Sequence, residues 1–240
     1  MLFRSYYTLC PRVNLVNAQG RFCGLPGVGV DCDKCLAADQ LDQVVGPIDA
    51  WRARSRRMLD AASSVVMPSE DVARRIALLR SGTPLTVSPH ENDPPPRVSA
   101  SPLVPLGERV RVMVIGAISR IKGFDVVLGM ASAIREQGLA LDLELLGYSI
   151  DDGKLAAEGV RMLGRYFDHE LLDRINAQDP HIILIPSIWP ETYCYALSGA
   201  PSSGRRLAVF DLGAQAARAR RHDAQDRKST RLNSSHEWIS

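Results

Sequence analysis

The first candidate for chemistry is Glu191, a carboxylate that follows the short apolar run HIILI at residues 181–185. An unbroken, isoleucine-rich run of this length is typical of a strand buried on both faces of a parallel sheet. Pro186 and Pro190 end the strand, because each lacks a backbone N–H and fixes its own φ. The apolar residues at 196–200 have helical spacing, so we predict a helix that begins at Glu191.

A carboxylate just beyond the carboxyl end of a strand lies where open α/β sheets bind their ligands. The free N–H groups of a first helical turn also favour an anion there. The alternative is a structural corner in which Glu191 is simply solvated.

The second candidate is the stretch GAISRIKG at residues 116–123, which follows an apolar run and precedes an amphipathic segment. Gly116 and Gly123 allow a ligand to approach the backbone closely. Arg120 and Lys122 place positive charge beside the start of a helix, where a pyrophosphate would fit. A solvated surface turn is the alternative interpretation.

Cysteine spacing gives a third candidate. Cys10, Cys23, Cys32 and Cys35 lie close together in sequence, and the last two form a CDKC pair. Four thiolates that include one C-x-x-C could enclose a tetrahedral zinc ion. Reduced, partly buried thiols are the alternative, since the first two cysteines are widely spaced and single.

Both charged stretches resemble motifs of the retaining family-4 glycosyltransferases, enzymes that have two Rossmann-like domains in the GT-B fold. PSIWPE at 186–191 resembles the family's Pro-Ser-x-x-x-Glu segment, and residues 116–123 resemble its G-x(5)-K-G turn. Farther along, RRLAVFDLGAQA is similar to the family's next strand and turn, and the whole resemblance covers about residues 6–218.

The resemblance implies transfer of a sugar from a nucleotide-diphosphate-sugar donor to a carbohydrate or lipid-linked acceptor, with retention of configuration and no required metal. Lys122 would balance the charge that accumulates on the departing diphosphate, and Glu191 would hold hydroxyls of the donor sugar. These two are the candidate catalytic residues. The full set assigned to donor binding is Gly116, Arg120, Lys122, Gly123, Glu191, Thr192 and Tyr193.

The sequence departs from the family pattern at several places, and we expect Pro201 to make the helix after Glu191 shorter than in the family. Gly199 stands where the family has a second glutamate, and Arg4 and Ser5 stand where it has the His-Asp of a His-Asp-Tyr-Tyr motif. Loss of a charged hydrogen-bonding partner implies donor binding weaker by roughly ten- to a hundredfold. Two alternatives therefore stay open: a catalytically impaired fragment that binds nucleotide sugar or phosphate, and a zinc-stabilised interaction module.

Alternating strand and helix patterns predict an α/β fold, with a Rossmann-like parallel sheet like that of the GT-B carboxyl-terminal domain. A partial amino-terminal Rossmann-like domain is predicted at 1–90, with an irregular, cysteine-containing start. Residues 91–108 are proline-rich and are predicted to form a linker. The nucleotide-sugar-binding domain is predicted at 109–225. Residues 226–240 lack periodicity and resemble a non-native tail, so we expect the chain to be truncated at both ends.

Bulk properties exclude several classes of protein. The chain has 240 residues, 45% of them hydrophobic and 23% charged, which is ordinary for a protein that buries a core. A formal net charge of +2 gives no reason to expect a nucleic-acid partner. The sequence shows neither an apolar run of about 18 residues nor a signal-peptide pattern. We therefore expect a cytoplasmic protein without a transmembrane span, and a peripheral position at the membrane surface stays open.

Overall fold

The computed structural model describes residues 5–24, 31–79, 84–90, 104 and 107–223. The chain divides into two compact units. The smaller unit comprises Met1–Asn92 and the short segment Trp189–Tyr193, and the larger comprises Asp93–Ile188 and Cys194–Ser240. Most of the predicted linker and all of the predicted tail lie outside the described residues. Among the described helices, none has both the length and the apolar composition needed to cross a bilayer.

The smaller unit packs short helices around a pair of parallel strands. Its core is a cluster of buried apolar side chains that includes Tyr6, Leu59, Met67 and Ile76. Strands β1 and β2 pair in parallel, with Val65 opposite Leu85. The elements are α1 Cys32–Ala37, α2 Asp42–Val45, α3 Ile48–Asp60, β1 Val65–Met67, α4 Glu70–Ala77 and β2 Leu85–Val87.

Local sequence explains where these helices begin. Ser69 caps α4 by accepting a hydrogen bond from the backbone N–H of Val72, and acidic residues occupy the first turn. Asp31 caps α1 in the same way, through the N–H of Lys34. Helix α1 lies within residues 1–40, which the sequence predicted to be irregular. That prediction was wrong for α1, because the Asp31 cap outweighs the turn-forming residues around it.

Three of the four arginines of α3 donate hydrogen bonds to backbone carbonyl groups. Arg52 donates to the carbonyl of Leu9 at 3.2 Å, and Arg56 donates to that of Leu79 at 2.8 Å. Arg54 donates to the carbonyl of Val45 at 3.1 Å. These side chains satisfy carbonyl groups of the neighbouring segments and so hold those segments against the helix.

The larger unit is a five-stranded, wholly parallel sheet with strand order β5-β4-β3-β6-β7. Alternate residues of β3 enter different cores: Val112 and Val114 lie on one face, Met113 and Ile115 on the other. Both faces of the sheet are covered, as the apolar strands predicted. The elements are β3 Val110–Ile118, α5 Phe124–Gln137, β4 Leu141–Ser149, α6 Asp152–Ala157, β5 Arg161–Gly164, α7 Leu171–Gln178, β6 Ile182–Ile185, β7 Arg206–Val209 and α8 Gly213–Asp223.

A short 3₁₀ turn, Asp168–Glu170, precedes helix α7 and leads into it. The Glu170 carboxylate accepts the backbone N–H of Phe167 at 3.1 Å. Glu170 therefore caps the 3₁₀ turn, because its side chain reaches back three residues to the N–H of Phe167, the residue that precedes the turn.

Candidate functional site

The strand order places a topological switch point between β3 and β6. From the central strand β3, the chain builds β4 and β5 on one side of the sheet, and then β6 and β7 on the other. In open α/β sheets, ligands bind in the crevice outside the carboxyl ends of the strands at such a point. The predicted lysine turn follows β3, and residues 186–188, the start of the predicted Pro-Ser segment, follow β6. The larger unit thus brings the lysine turn and residues 186–188 to the crevice.

The turn that joins β3 to α5, residues 119–123, is tightly hydrogen bonded. The N–H groups of Lys122 and Phe124 both donate to the carbonyl of Ser119, at 3.0 and 3.1 Å, and Gly123 donates to Arg120 at 3.0 Å. The turn is also joined to the segment after β6, because the N–H of Ile188 donates to the carbonyl of Ile121 at 3.1 Å.

Gly123 is held where only glycine fits. Its φ is +90°, and a Cβ atom built on it would overlap the carbonyl oxygen of Pro186. The close approach sets the turn directly against the first residue after β6. Glycine is needed here for packing and backbone conformation, independently of any ligand.

Positive charge and free helical amides meet at this turn. Arg120 is exposed and Lys122 is half-buried. Helix α5 has no side-chain cap at its amino end. The amides of a helix's first turn lack intrahelical partners, so an uncapped start favours an anion. The arrangement has the properties that a diphosphate site needs.

The sequence predicted that Gly116 begins the turn. In the structure Gly116 lies inside β3, which continues to Ile118. It pairs with Gly147 of β4, and both have positive φ, +123° and +137°. A Cβ atom on Gly147 would overlap the Gly116 carbonyl. The paired glycines allow the strands to approach closely, so pairing extends farther than the sequence indicated.

The glycine pair forms the floor of a cleft of about 390 Å³ at the carboxyl edge of β3, β4 and β5. We call it the Arg165 cleft. The guanidinium carbon of Arg165 lies 3.6 Å from the centroid of the Tyr148 ring, a cation–π contact. The residues that line the cleft are Gly116, Ala117, Gly147, Tyr148, Arg165, Tyr166, Phe167 and Asp168.

Phe167 is unusually exposed for a large apolar side chain, with 71% of its surface accessible. Its ring stacks on that of His169, with centroids 5.8 Å apart and planes 13° apart. Tyr166 lies deeper, and burial raises the pKa of its phenol to about 12, aided by the charge of Asp168 and by Cys194. Sequence analysis missed the aromatic lining. The available signal was the run RYFDH directly after a predicted strand.

Glu191, Thr192 and Tyr193 belong to the segment that the chain contributes to the smaller unit. All three are buried, Glu191 with 4% of its surface accessible. The ring of Tyr193 packs against His90, with centroids 5.3 Å apart. The residues predicted to bind the donor are thus divided between the units: Gly116, Arg120, Lys122 and Gly123 in the larger one, and these three in the smaller.

The predicted helix at Glu191 is absent from the described chain, which instead forms two 3₁₀ turns, Tyr195–Leu197 and Pro201–Ser203. Cys194 has a φ of +71°, which interrupts a right-handed helix, and Pro201 lacks the N–H that an α-helix would use. The prediction that a helix begins at Glu191 and places its free N–H groups beside an anion is therefore wrong.

Gly199, where the resembled family has glutamate, is committed to packing. A Cβ atom built there would lie 2.9 Å from Cδ2 of Leu171, a buried residue at the start of α7. Any side chain at this position would have to displace Leu171. Gly199 therefore fits the packing around Leu171, in addition to lacking the carboxylate that the resembled family has at this position.

The cysteines give no support to the predicted zinc site. Cys10, Cys23, Cys32 and Cys35 form no disulfide bonds. Within the described ranges, no group of three or more His, Cys, Asp or Glu side chains is arranged to hold a metal ion. Burial raises the pKa of the Cys10 thiol to about 11.

Comparison with known proteins identifies the fold. No protein-family model and no curated protein sequence matches this chain. Among solved structures, HepE of Anabaena in complex with UDP is 13% identical with a TM-score of 0.51, over 69% of this chain and 50% of HepE.

Two further structures are similar at lower TM-scores. TarM of S. aureus, in complex with fondaparinux, α-GlcNAc-glycerol and UDP, is 14% identical with a TM-score of 0.49, over 71% of this chain and 34% of TarM. OtsA is 13% identical with a TM-score of 0.48, over 78% of this chain and 56% of OtsA. The chain therefore spans between about a third and just over half of these proteins. The fold is that of the GT-B glycosyltransferases, as the sequence predicted.

Proposed function

We propose that this chain is the donor-binding part of a glycosyltransferase, which transfers a sugar from a nucleoside-diphosphate sugar to an acceptor with retention of configuration. The observation that carries the proposal is the crevice at the switch point. There the lysine turn after β3 is packed against Pro186 and hydrogen bonded to Ile188, beside the Arg165 cleft.

The diphosphate of the donor would bind at the β3–α5 turn. Lys122 supplies a cation, and the uncapped start of α5 supplies backbone amides. Such preorganised positive charge is most useful where negative charge develops during the reaction. Transfer of the sugar leaves that charge on the departing nucleoside diphosphate, so Lys122 would act on the leaving group.

The nucleobase would bind in the Arg165 cleft. Its floor is made of glycine backbone, which lets a flat ring approach the sheet, and its wall carries Tyr148, Arg165 and Phe167. Aromatic faces and a guanidinium plane are suitable surfaces for stacking a base. The cleft thus complements the phosphate site with an apolar one, as nucleotide sites require.

Glu191 would contact the donor sugar. An ionised carboxylate accepts hydrogen bonds from two hydroxyl groups at once, which fixes the orientation of the sugar ring. Glu191 follows Ile188 by three residues, so the β6 strand end that contacts the lysine turn continues directly into it. Thr192 and Tyr193 are proposed as its neighbours in donor binding.

Nucleotide binding tests the proposal. UDP is titrated calorimetrically into the full chain and into Lys122→Met, with Lys154→Met as a control that removes an exposed lysine from α6. We expect Lys122→Met to weaken UDP binding at least tenfold, since a charge-assisted hydrogen bond contributes about 1.5–3 kcal/mol. Equal affinities of the two variants would overturn the phosphate site.

Turnover is tested separately with a panel of nucleotide sugars, by measuring release of the nucleoside diphosphate and the anomeric configuration of the product. The second candidate function is nucleotide-sugar binding without turnover. Gly199 and the short 3₁₀ turns after Glu191 favour it, because they replace a second carboxylate and a helix start. If the chain binds UDP but releases no nucleoside diphosphate from any nucleotide sugar in the panel, this second function would be established.

A further inference from the structure

The CDKC sequence forms one ordered helical turn that the proposed function does not use. Cys32 is the first residue of α1, and the N–H of Cys35 donates to the carbonyl of Asp31 at 3.1 Å. Neither side chain is fully buried, whereas Cys10 is. In a helix, Cα atoms three residues apart are about 5 Å apart. That separation lies within the range that a disulfide spans.

Two arginines from elsewhere in the unit fix this turn. Arg52 of α3 donates to the sulfur of Cys32 at 3.6 Å, while its Nε is anchored on the Leu9 carbonyl at 3.2 Å. Arg12 donates to the backbone carbonyl of Cys35 at 2.8 Å and to the Asp39 carboxylate at 2.6 Å. The turn is therefore held by two guanidinium groups, and each cysteine has an arginine beside it: Arg52 at the Cys32 sulfur and Arg12 at Cys35.

We propose that Cys32 and Cys35 form a reversible dithiol–disulfide pair that exchanges with low-molecular-weight disulfides, with Cys32 as the attacking thiolate. The thiolate is the nucleophile in this chemistry, and the Cys32 sulfur accepts a hydrogen bond from Arg52 at 3.6 Å. Cys35 lies one turn along the same helix and is placed to attack the mixed disulfide. This modification site lies in the smaller unit and is independent of nucleotide binding.

The exchange balances in two steps. The Cys32 thiolate attacks one sulfur of glutathione disulfide, the S–S bond breaks, and one glutathione thiolate leaves and is protonated. The Cys35 thiolate then attacks the Cys32 sulfur of the mixed disulfide, and the second glutathione leaves in the same way. The two cysteines are oxidised by two electrons, and glutathione disulfide is reduced to two thiols.

The test uses the full chain in glutathione buffers of increasing oxidised fraction. Samples are quenched with acid, alkylated with N-ethylmaleimide and mapped by peptide mass. We expect a Cys32–Cys35 disulfide that dithiothreitol reverses. In Cys35→Ser the mixed disulfide should accumulate on Cys32, and Cys32→Ser should abolish rapid reaction at Cys35. Cys194→Ser, which removes a buried thiol of the other unit, should behave as the parent chain.

Substitutions of Arg52 provide a second test, in which the rate of mixed-disulfide formation is measured. Arg52→Ala should slow formation of the mixed disulfide by about threefold or more, and Arg52→Lys should retain most of the rate. Arg54→Ala, on the same helix, is the matched control. The proposal is overturned if both cysteines stay reduced, if either pairs with Cys10 or Cys23 instead, or if elemental analysis finds a stoichiometric metal that shields them.

Discussion

The α-carbon of Gly123 lies against the carbonyl oxygen of Pro186, so closely that no side chain could be placed between them. Gly123 ends the turn after β3, and Pro186 is the first residue after β6. The two loops that flank the switch point are therefore in backbone contact, and a hydrogen bond from Ile188 to Ile121 at 3.1 Å adds a second connection.

The contact makes Gly123→Ala a destabilising change. Alanine at a φ of +90° is strained, and its methyl group would displace Pro186, so we expect a loss of about 2 kcal/mol in the free energy of unfolding. Urea titration measures it. Gly129→Ala is the control: Gly129 is exposed within α5 with open space around it, and alanine should stabilise the helix by about 0.5–1 kcal/mol. Equal shifts in the two variants would contradict the packing argument.

The smaller unit contains a buried carboxylate whose ionisation is linked to stability. Burial opposes ionisation of Asp71, but hydrogen bonds and charge from Arg75, together with Arg74 and Tyr6, outweigh burial and lower its pKa. Tyr6 donates to Asp71 at 3.0 Å, and Arg75 donates at 2.7 Å. The network joins the amino-terminal segment to α4.

Because the pKa of Asp71 is lower in the folded state, its stabilising effect is complete above the ordinary aspartate pKa of about 3.9. The effect is lost as pH falls through the lower pKa of the folded state. Asp71→Asn should therefore cost about 3 kcal/mol at neutral pH and progressively less in acid. Tyr6→Phe, which removes one hydrogen bond, should cost about 1 kcal/mol. Urea titrations between neutral pH and pH ~3 measure both; a cost of Asp71→Asn that is independent of pH would contradict the linkage.

The architecture of the larger unit was predictable because its strands are buried on both faces. Residues such as Val114 and Ile115 leave no polar face, and that pattern occurs in parallel sheets with helices on either side. Glycine and lysine at 116–123 also predicted a phosphate site, which stays a prediction. Those signals are local in sequence and needed no knowledge of the packing.

The features that were not predicted depend on contacts between distant residues. Pairing of Gly116 with Gly147 extends β3 beyond its expected end. The positive φ of Cys194 was not predicted either, and together with Pro201, which was expected to end the helix early, it leaves only 3₁₀ turns where the apolar spacing was helical. The Arg165 cleft forms only when the ends of three strands meet, so its residues carry no common sequence motif.

Phe167 should contribute to nucleotide binding without contributing to folding. Its ring is 71% accessible, so its removal costs little core packing. If a base stacks on it, Phe167→Ala should weaken UDP binding by about tenfold, since stacking of one base is worth roughly 1–3 kcal/mol. Leu78→Ala, which removes another exposed apolar side chain, at 56% accessibility, is the control. Unchanged affinity in calorimetry would place the base elsewhere.

Glu191 should distinguish the sugar from the nucleotide. Only 4% of the Glu191 surface is accessible, and Glu191→Gln keeps the shape of this side chain. The substitution removes the negative charge that would accept hydrogen bonds from the sugar hydroxyls. We expect UDP to bind the variant as it binds the parent chain, and UDP-sugars to bind about tenfold more weakly, since a hydrogen bond to a charged group is worth about 1.5–3 kcal/mol. Glu136→Gln, on the exposed side of α5, controls for loss of one negative charge. Equal weakening of UDP and of UDP-sugar would instead indicate that Glu191 supports the fold around the site, because a structural defect cannot discriminate between two ligands that share the same nucleotide.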